Sequence, residues 1–512
     1  MDERLSNFRH GDSVSSSHSQ TQQSLRLSLM NRLLSTLVIA AVVFSGCSPS
    51  AAPTASPEPV RPQITTAPTP QKTPETKSVV PESAPAPIAQ PSEPPPEPKT
   101  DPKPEPESKT NPEPEPPPAR PAKGQPLRPA APPLPEPEGD VVIVDTAAKL
   151  SAAVDRARAG TTVLLADGCY VLTKPLHIRA DRVSLRGKSG DRTKVILDGD
   201  GTLGEAIWLS RCSDVTIANL TVRDVRWNGV KLNSETGVQR VRIYNCEFRN
   251  IWQRAIKAVL VPEANREQRR PKHCRIEYCL FANDRPKKFG DDPTDTASSY
   301  NGDYIAGIDL MCATEWVIRD NIFRGIRGRT GQGRGAIFLW MDSHDCVIER
   351  NVIVDCDAGI SLGNAQHDPK APAHCIGCIV RNNCLTHTPE GGITAIYTKG
   401  CKILHNTICD PSGKIVRGVR VELAAEGLVI ANNLLAGPKL VINVKSGVAT
   451  SDNRDGVAAS VFVDAAEGDL HLAERVDGVV NAGKRLPEVP RDLDGRRRGD
   501  HADLGADEFS PE

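Results

Sequence analysis

Residues 140–512 predict an all-β solenoid, a parallel β-helix, and three observations predict it. One phrase recurs along the chain, as VTIANLTV, VRIYNCEF, CRIEYCLF, WVIRDNIF, CVIERNVI, CIVRNNCL, KILHNTI and LVIANNLL. Each is an aliphatic pair flanking a fixed "ladder" position: Leu220, Cys246, Cys279, Asn321, Asn351, Asn383, Asn406 and Asn433. Alternation within the phrase means a strand with one face inward, and a repeat of about 25 residues built from strands means a solenoid. Second, each phrase is followed by another short strand: GVKL, AIKA, GIDL, AIFL, GISL. Third, the later ladder positions are all Asn, as a stack of side-chain amides bonding one another across coils requires.

The elements follow in chain order. Residues 1–29 are polar and precede a complete export signal, so Met30 is the expected start and 1–29 an extension ahead of it. Residues 30–47 carry Arg32, a short apolar run from Leu33 to Phe44 and the sequence FSGC. This ending resembles the lipobox of bacterial lipoproteins, which implies that Cys47 is lipidated and that the protein is exported and anchored by lipid alone in the cell envelope. Residues 48–139 hold most of the 44 Pro and almost no large apolar side chains. Such a segment cannot bury enough surface to order itself, and it reads as a disordered spacer. At 146–160, TAAKLSAAVDRARAG has Thr146 as N-cap, Leu150, Val154 and Ala157 on one face, and Gly160 as terminator. A helix there covers the N-terminal end of the solenoid. Earlier coils are legible in TTVLLADGCYVL, LHIRADRVSLRG and KVILDGDG.

The opening AAVDRARAGTTVLLADGCYVL resembles the first coil of the pectate-lyase-like right-handed parallel β-helix family, and DLDGRRRGDHADLGADEF near the end is similar to closing segments of its exported bacterial members. The resemblance covers about 140–509 and implies a fold. It does not imply one chemistry, because this scaffold carries lyases, hydrolases and adhesins alike.

Candidate chemistry lies in the second strands. With Val230, Leu232, Ile256, Ala258, Ile308, Leu310, Ile337 and Leu339 inward, Lys231, Lys257, Asp309, Phe338 and Ser361 form one outward column, and Trp340 lies beyond Phe338. Two stacked lysines repel, which would make one ammonium a general base and leave the other to neutralise a carboxylate. Loops leave the coils at 282–304 and 324–335 and would wall the column. The surrounding stretch is basic, with Arg254, Arg329 and Arg334, and it gathers Trp227, Trp252, Tyr300 and Tyr304 from a chain with only 4% aromatics. These features point to an acidic polysaccharide. Nucleic acid is not expected as a partner of an exported lipoprotein, and the chain is expected to act as a monomer.

The acidic loop DDPTD (Asp291, Asp292, Asp295) offers oxygens to Ca²⁺, the one cofactor the sequence suggests. Resemblance to the chondroitinase B and alginate lyase group implies β-elimination by Lys231, Lys257 and Arg254, although that group's full pattern is absent. Substrate contacts are expected from Asp309, Phe338, Trp340, Arg334 and Arg329. A non-catalytic glycan-binding module is the alternative. A glycoside hydrolase using Asp355 and Asp357 is a second one, and it lacks the GHG motif of the polygalacturonases. CIGC at 375–378, near His367 and His374, has metal-ligand residue types but no second Cys pair at zinc spacing, so it reads as packing.

Overall fold

The computed structural model describes residues 127–367, 371–415 and 417–510. These belong to one unit, Lys109–Glu512. The extension 1–29, the signal 30–47 with Cys47, and the linker as far as residue 126 lie outside the described residues. No described helix is long and apolar enough to cross a membrane.

Three long parallel sheets wrap around one core. The first runs from Val141–Val144 and Thr162–Leu165 to Val448–Ser451, the second from Gly168–Val171 to Leu434–Ala436, and the third from Leu176–Ile178 to Lys439–Asn443. The fold is a right-handed parallel β-helix, the hand that twisted parallel strands favour for such connections.

The recurring phrase makes the corner between the first and second sheets. Its bend is a single residue with positive φ, at Asn219, Asn245, Tyr278, Asp320, Arg350, Asn382, His405 and Asn432. Most of these are Asn, Asp or His, the types that tolerate the left-handed region best. The next residue is the ladder position. Asn321, Asn351, Asn383, Asn406 and Asn433 are fully buried or nearly so, and each Nδ2 donates to the Oδ1 of the next at 2.9–3.0 Å. Asn433 passes the chain on to Asn453 at 2.8 Å. Upstream, the backbone N–H of Cys279 donates to Asn321 Oδ1. Inside the second sheet, Phe248, Phe281 and Phe323 stack on successive coils at 5.2 and 4.5 Å.

Helix α1 (Ala147–Arg156) covers the N-terminal end as expected, with Leu150 and Val154 buried and Thr146 Oγ1 accepting from Lys149 N. The C-terminal segment packs on the side of the solenoid. It runs back along the flank, packing Phe462, Leu470, Leu472, Leu493 and Leu504 on Val352, Val354, Cys384, Cys409 and Leu434, the outer face of the second sheet.

One boundary differs from expectation. Residues 127–139, read from sequence as the end of a disordered linker, are strapped to the solenoid. Tyr244 Oη donates to Pro132 O at 2.6 Å, and Arg186 donates to Pro135 O at 2.8 Å. Proline-rich backbone makes no internal hydrogen bonds, so its carbonyls are free for such donors. Arg128 is buried and reaches Asp494 at 3.1 Å. Asp494 also binds His471, which bonds Asp469 as well. Burial alone would lower the His471 pKa, but the two aspartates outweigh it and raise it to about 10.

All thirteen described cysteines are free thiols, and all but Cys169 are buried.

Candidate functional site

Six strands of the third sheet carry the site: β1 (Glu205–Leu209), β2 (Asn228–Leu232), β3 (Arg254–Ala258), β4 (Ala306–Met311), β5 (Ile337–Trp340) and β6 (Ala358–Leu362). Their inward residues, such as Val230, Ile256, Ile308 and Ile337, are fully buried. This fixes the register, because a slip of one residue would turn the apolar set outward. Lys231 therefore pairs with Lys257, Lys257 with Asp309, Asp309 with Phe338, and Phe338 with Ser361. The column read from the sequence is present in that order.

Its electrostatics differ from the expectation of two repelling ammonium groups. Each lysine has a carboxylate of its own. Lys231 Nζ lies 2.9 Å from Glu205 Oε1, which also accepts from Asn228 Nδ2 at 2.7 Å. Lys257 Nζ lies 2.9 Å from Asp309 Oδ2, and Arg254 Nε donates to the same oxygen at 2.6 Å. Trp340 Nε1 donates to Asp309 Oδ1 at 2.9 Å. Desolvation would raise the Asp309 pKa, but Lys257 and Arg254 outweigh it and hold the carboxyl at about 2. The Lys257 ammonium is within ion-pair distance of Asp309, yet it is poorly aligned for a hydrogen bond and shut off from solvent. Its donor capacity is unspent.

Burial corrects the expected contacts. Arg254, Lys257, Asp309 and Phe338 are 2%, 8%, 1% and 3% exposed and lie beneath the surface, where the sequence pattern had them facing out. The groups at the surface are Lys231, Trp340, Arg329 and Arg334. Arg329 is tied to Asn301 through O and Oδ1 and lies over the Phe289 ring. Arg334 is exposed, yet the protein crowds it enough that desolvation, and then the charge of Arg254, lower its pKa. Its side chain makes no ion pair or hydrogen bond among the described residues. Four cations (Lys231, Arg254, Lys257, Arg334) thus face two carboxylates (Glu205, Asp309), and the excess is positive.

The two loops leave where the sequence placed them, after Leu280–Ala282 and after Ile322–Arg324. In the first, the acidic stretch is not an open cation site. Lys287, fully buried, places its ammonium 3.1 Å from Asp292 and 2.8 Å from Asp295 and donates to Tyr304 O. Asp291 pairs with Arg285 at 2.6 Å. The chain's own cations hold these carboxylates, so the loop does not fit Ca²⁺. What it does is position rings: the guanidinium of Arg254 lies 3.8 Å from the centroid of Tyr304, and Tyr300 stacks on Tyr304 at 4.4 Å. The second loop is held by Asp357, whose Oδ2 accepts from Gly328 N at 2.6 Å and Gly333 N at 2.8 Å, and by Asp303, which accepts from Thr330 N at 2.8 Å. Asp357 is thus a buried loop anchor, while Asp355 is half exposed beside His387 at 3.5 Å. Trp227 and Trp252 brace loops as well, through Asp292 and Arg285.

His374 is a buried packing residue. Its Nδ1 accepts from Met341 N and its Nε2 faces Asn364 O, while burial lowers its pKa to about 4. Cys375 and Cys378 are core thiols.

Sequence reading began the column two strands too late. Trp208 pairs with Lys231, and His177 pairs with Trp208. The signal was available, because AIWL in β1 has the same frame as GVKL in β2. Glu205, the partner of Lys231, was missed with it.

Residues 316–457 match the family described as periplasmic copper-binding protein (NosD). Lys231, Arg254, Lys257 and Asp309 lie upstream of that match. No curated protein matches the chain. Among solved structures, the chain is similar to an alginate lyase from Paenibacillus sp. str. FPU-7, at 12% identity and TM-score 0.33, over 60% of this chain and 99% of that one. It is similar to pectate lyase Pel9A at 13% identity and TM-score 0.41, over 70% and 90%. It is also similar to the tailspike protein of E. coli bacteriophage HK620 in complex with a pentasaccharide, at 12% identity and TM-score 0.42, over 58% and 55%.

Proposed function

We propose that this is an exported, lipid-anchored protein that binds an acidic polysaccharide on the outer face of the third sheet. The observation that carries the reading is Arg334: an exposed arginine without an anionic partner, set beside a cluster already in positive excess. Uncompensated charge near a low-dielectric surface attracts a polyanion, and a carboxylate would complete the arginine's hydrogen bonds. Tyr300 and Trp340 add flat surface for sugar rings. Purified full-length protein should retain polyuronates and not neutral glucans. Arg334→Ala should weaken that binding about tenfold and flatten its salt dependence. Equal retention of neutral and acidic glycans would remove the reading. The anchor has its own check: Cys47→Ser should release the protein from membranes.

A second reading, β-elimination, is favoured by one observation. Of the two column lysines, Lys231 is the one that solvent reaches, with 29% of its side chain exposed. With its own proton passed to Glu205, Lys231 would take the C5 proton while Arg334 holds the carboxylate; the C4–C5 double bond forms as the C4–O4 bond breaks, and the leaving O4 takes the proton back from the Lys231 ammonium. Formation of an unsaturated, ultraviolet-absorbing product, lost in Lys231→Ala, separates a lyase from a binding module. Copper, named in the description of the matching family, is not part of either reading. Among the described residues, one group has ligand atoms close enough for a metal, His471, Asp494 and Asp507, and its histidine is already engaged by Asp469 and Asp494.

A further inference from the structure

We infer that Lys287 and Asp295 condense to an intramolecular isopeptide bond, with Asp292 as the proton relay, and that this bond staples the 282–304 loop covalently. The site lies inside the loop and is independent of the glycan reading.

The three side chains are sealed from solvent: Lys287, Asp292 and Asp295 are 1%, 0% and 1% exposed. Lys287 Nζ lies 2.8 Å from Asp295 Oδ2 and 3.1 Å from Asp292 Oδ2, and it donates to Tyr304 O at 3.0 Å. Three features favour reaction over a simple ion pair. First, Asp295 is prepared as an acyl group. Its Oδ1 accepts from Gly302 N at 2.8 Å and its Oδ2 from Tyr304 N at 3.0 Å. Backbone N–H groups so placed stabilise the negative charge that builds on a carboxyl oxygen when its carbon is attacked. Second, Asp292 does not depend on the ammonium. Its Oδ1 accepts from Thr294 N, Thr294 Oγ1 and Trp227 Nε1, and its Oδ2 accepts from Gln253 Nε2. It stays in place throughout and can carry a proton. Third, ion pairs held out of water bear a desolvation cost, and condensation removes two charges from the interior. With the reactants fixed in contact the step is effectively unimolecular. The same burial shuts out the water that would reverse it.

The step balances without a co-reactant. Asp292 takes a proton from the Lys287 ammonium, and the freed Nζ electron pair forms a bond to Asp295 Cγ. Oδ1 carries the negative charge of the tetrahedral intermediate and becomes the amide carbonyl. The Cγ–Oδ2 bond breaks, and Oδ2 leaves as water with the proton held on Asp292 and a second one from Nζ. One hydrogen stays on the amide nitrogen, the opposite charges cancel, and Asp292 ends as the carboxylate it began as. The bond closes residues 287–295 into a ring, in a loop that has no cysteine and a chain whose thirteen described cysteines are free thiols.

The test is mass spectrometry of the full-length protein after denaturation and digestion with trypsin. The peptides on either side of Lys288 should stay joined, one water lighter than their sum. Lys287→Arg, which keeps a cation between the carboxylates, should give the two peptides separately and at full mass. Asp292→Asn, which keeps both reacting groups, should leave most of the material unjoined; complete joining there would overturn its role as relay. Two free peptides of full mass from the wild type would overturn the bond itself. So would a loss of water that persists in Lys287→Arg, because it would place the dehydration at a cyclised aspartate.

Discussion

Replacing Asp309 with Ala should destabilise the protein by about 3–5 kcal/mol, measured by denaturant unfolding of the full-length chain. Removing one partner of a buried ion pair leaves an uncompensated charge, and here it leaves two. Arg254 and Lys257 lose the oxygen they share, and Trp340 loses its acceptor. A drop below 1 kcal/mol would mean that the cations are better hydrated than their burial implies. The same carboxylate predicts an acid limb in the stability profile. Its pKa falls from 3.8 to about 2 on folding. A depressed folded-state value gives stabilisation that is complete above pH 3.8 and is lost as pH falls toward 2. The difference amounts to about 2 kcal/mol. Asp309→Asn should lack that limb.

Asn383→Ala should cost a similar amount, about 4 kcal/mol, for a reason that involves no charge. Its side chain accepts from both the backbone N–H and the Nδ2 of Asn351, and donates to Ile348 O and to Asn406 Oδ1. Truncation strands several buried polar groups at once. Asn453→Ala, at the partly exposed last position of the stack, should cost about 1 kcal/mol. Equal losses at the two positions would show that the amides do not act as a connected stack.

The coil was legible because its signals are local and repeated. Val–x–Ile before a bend residue, an Asn after it, then Gly–Ile–x–Leu, are short patterns whose physical meaning does not depend on distant partners. The column Lys231–Lys257–Asp309 followed from them by register alone. So did the exits of the two loops, since extra residues between phrases have to leave the coil.

What each column member does was decided elsewhere in the chain. The sequence places Lys231 beside Lys257, but Glu205 arrives from the coil before and Asp309 from the coil after a long insertion, and these two carboxylates cancel the expected repulsion. DDPTD looks like a cation loop until Lys287, a few residues earlier, folds its ammonium between Asp292 and Asp295. Asp357 reads as a catalytic carboxylate until the backbone of 328–333 closes over it. Phe338 points outward in the pattern and is covered in space, because Trp340 stacks on it. Sequence alone determined the solenoid, its strand register and the row of residues that faces out, because alternation and period are properties of the backbone. The tertiary structure alone decided which of those residues are neutralised, which are buried and which remain open, because an ion pair or a covering ring depends on groups that the fold brings together from separate coils.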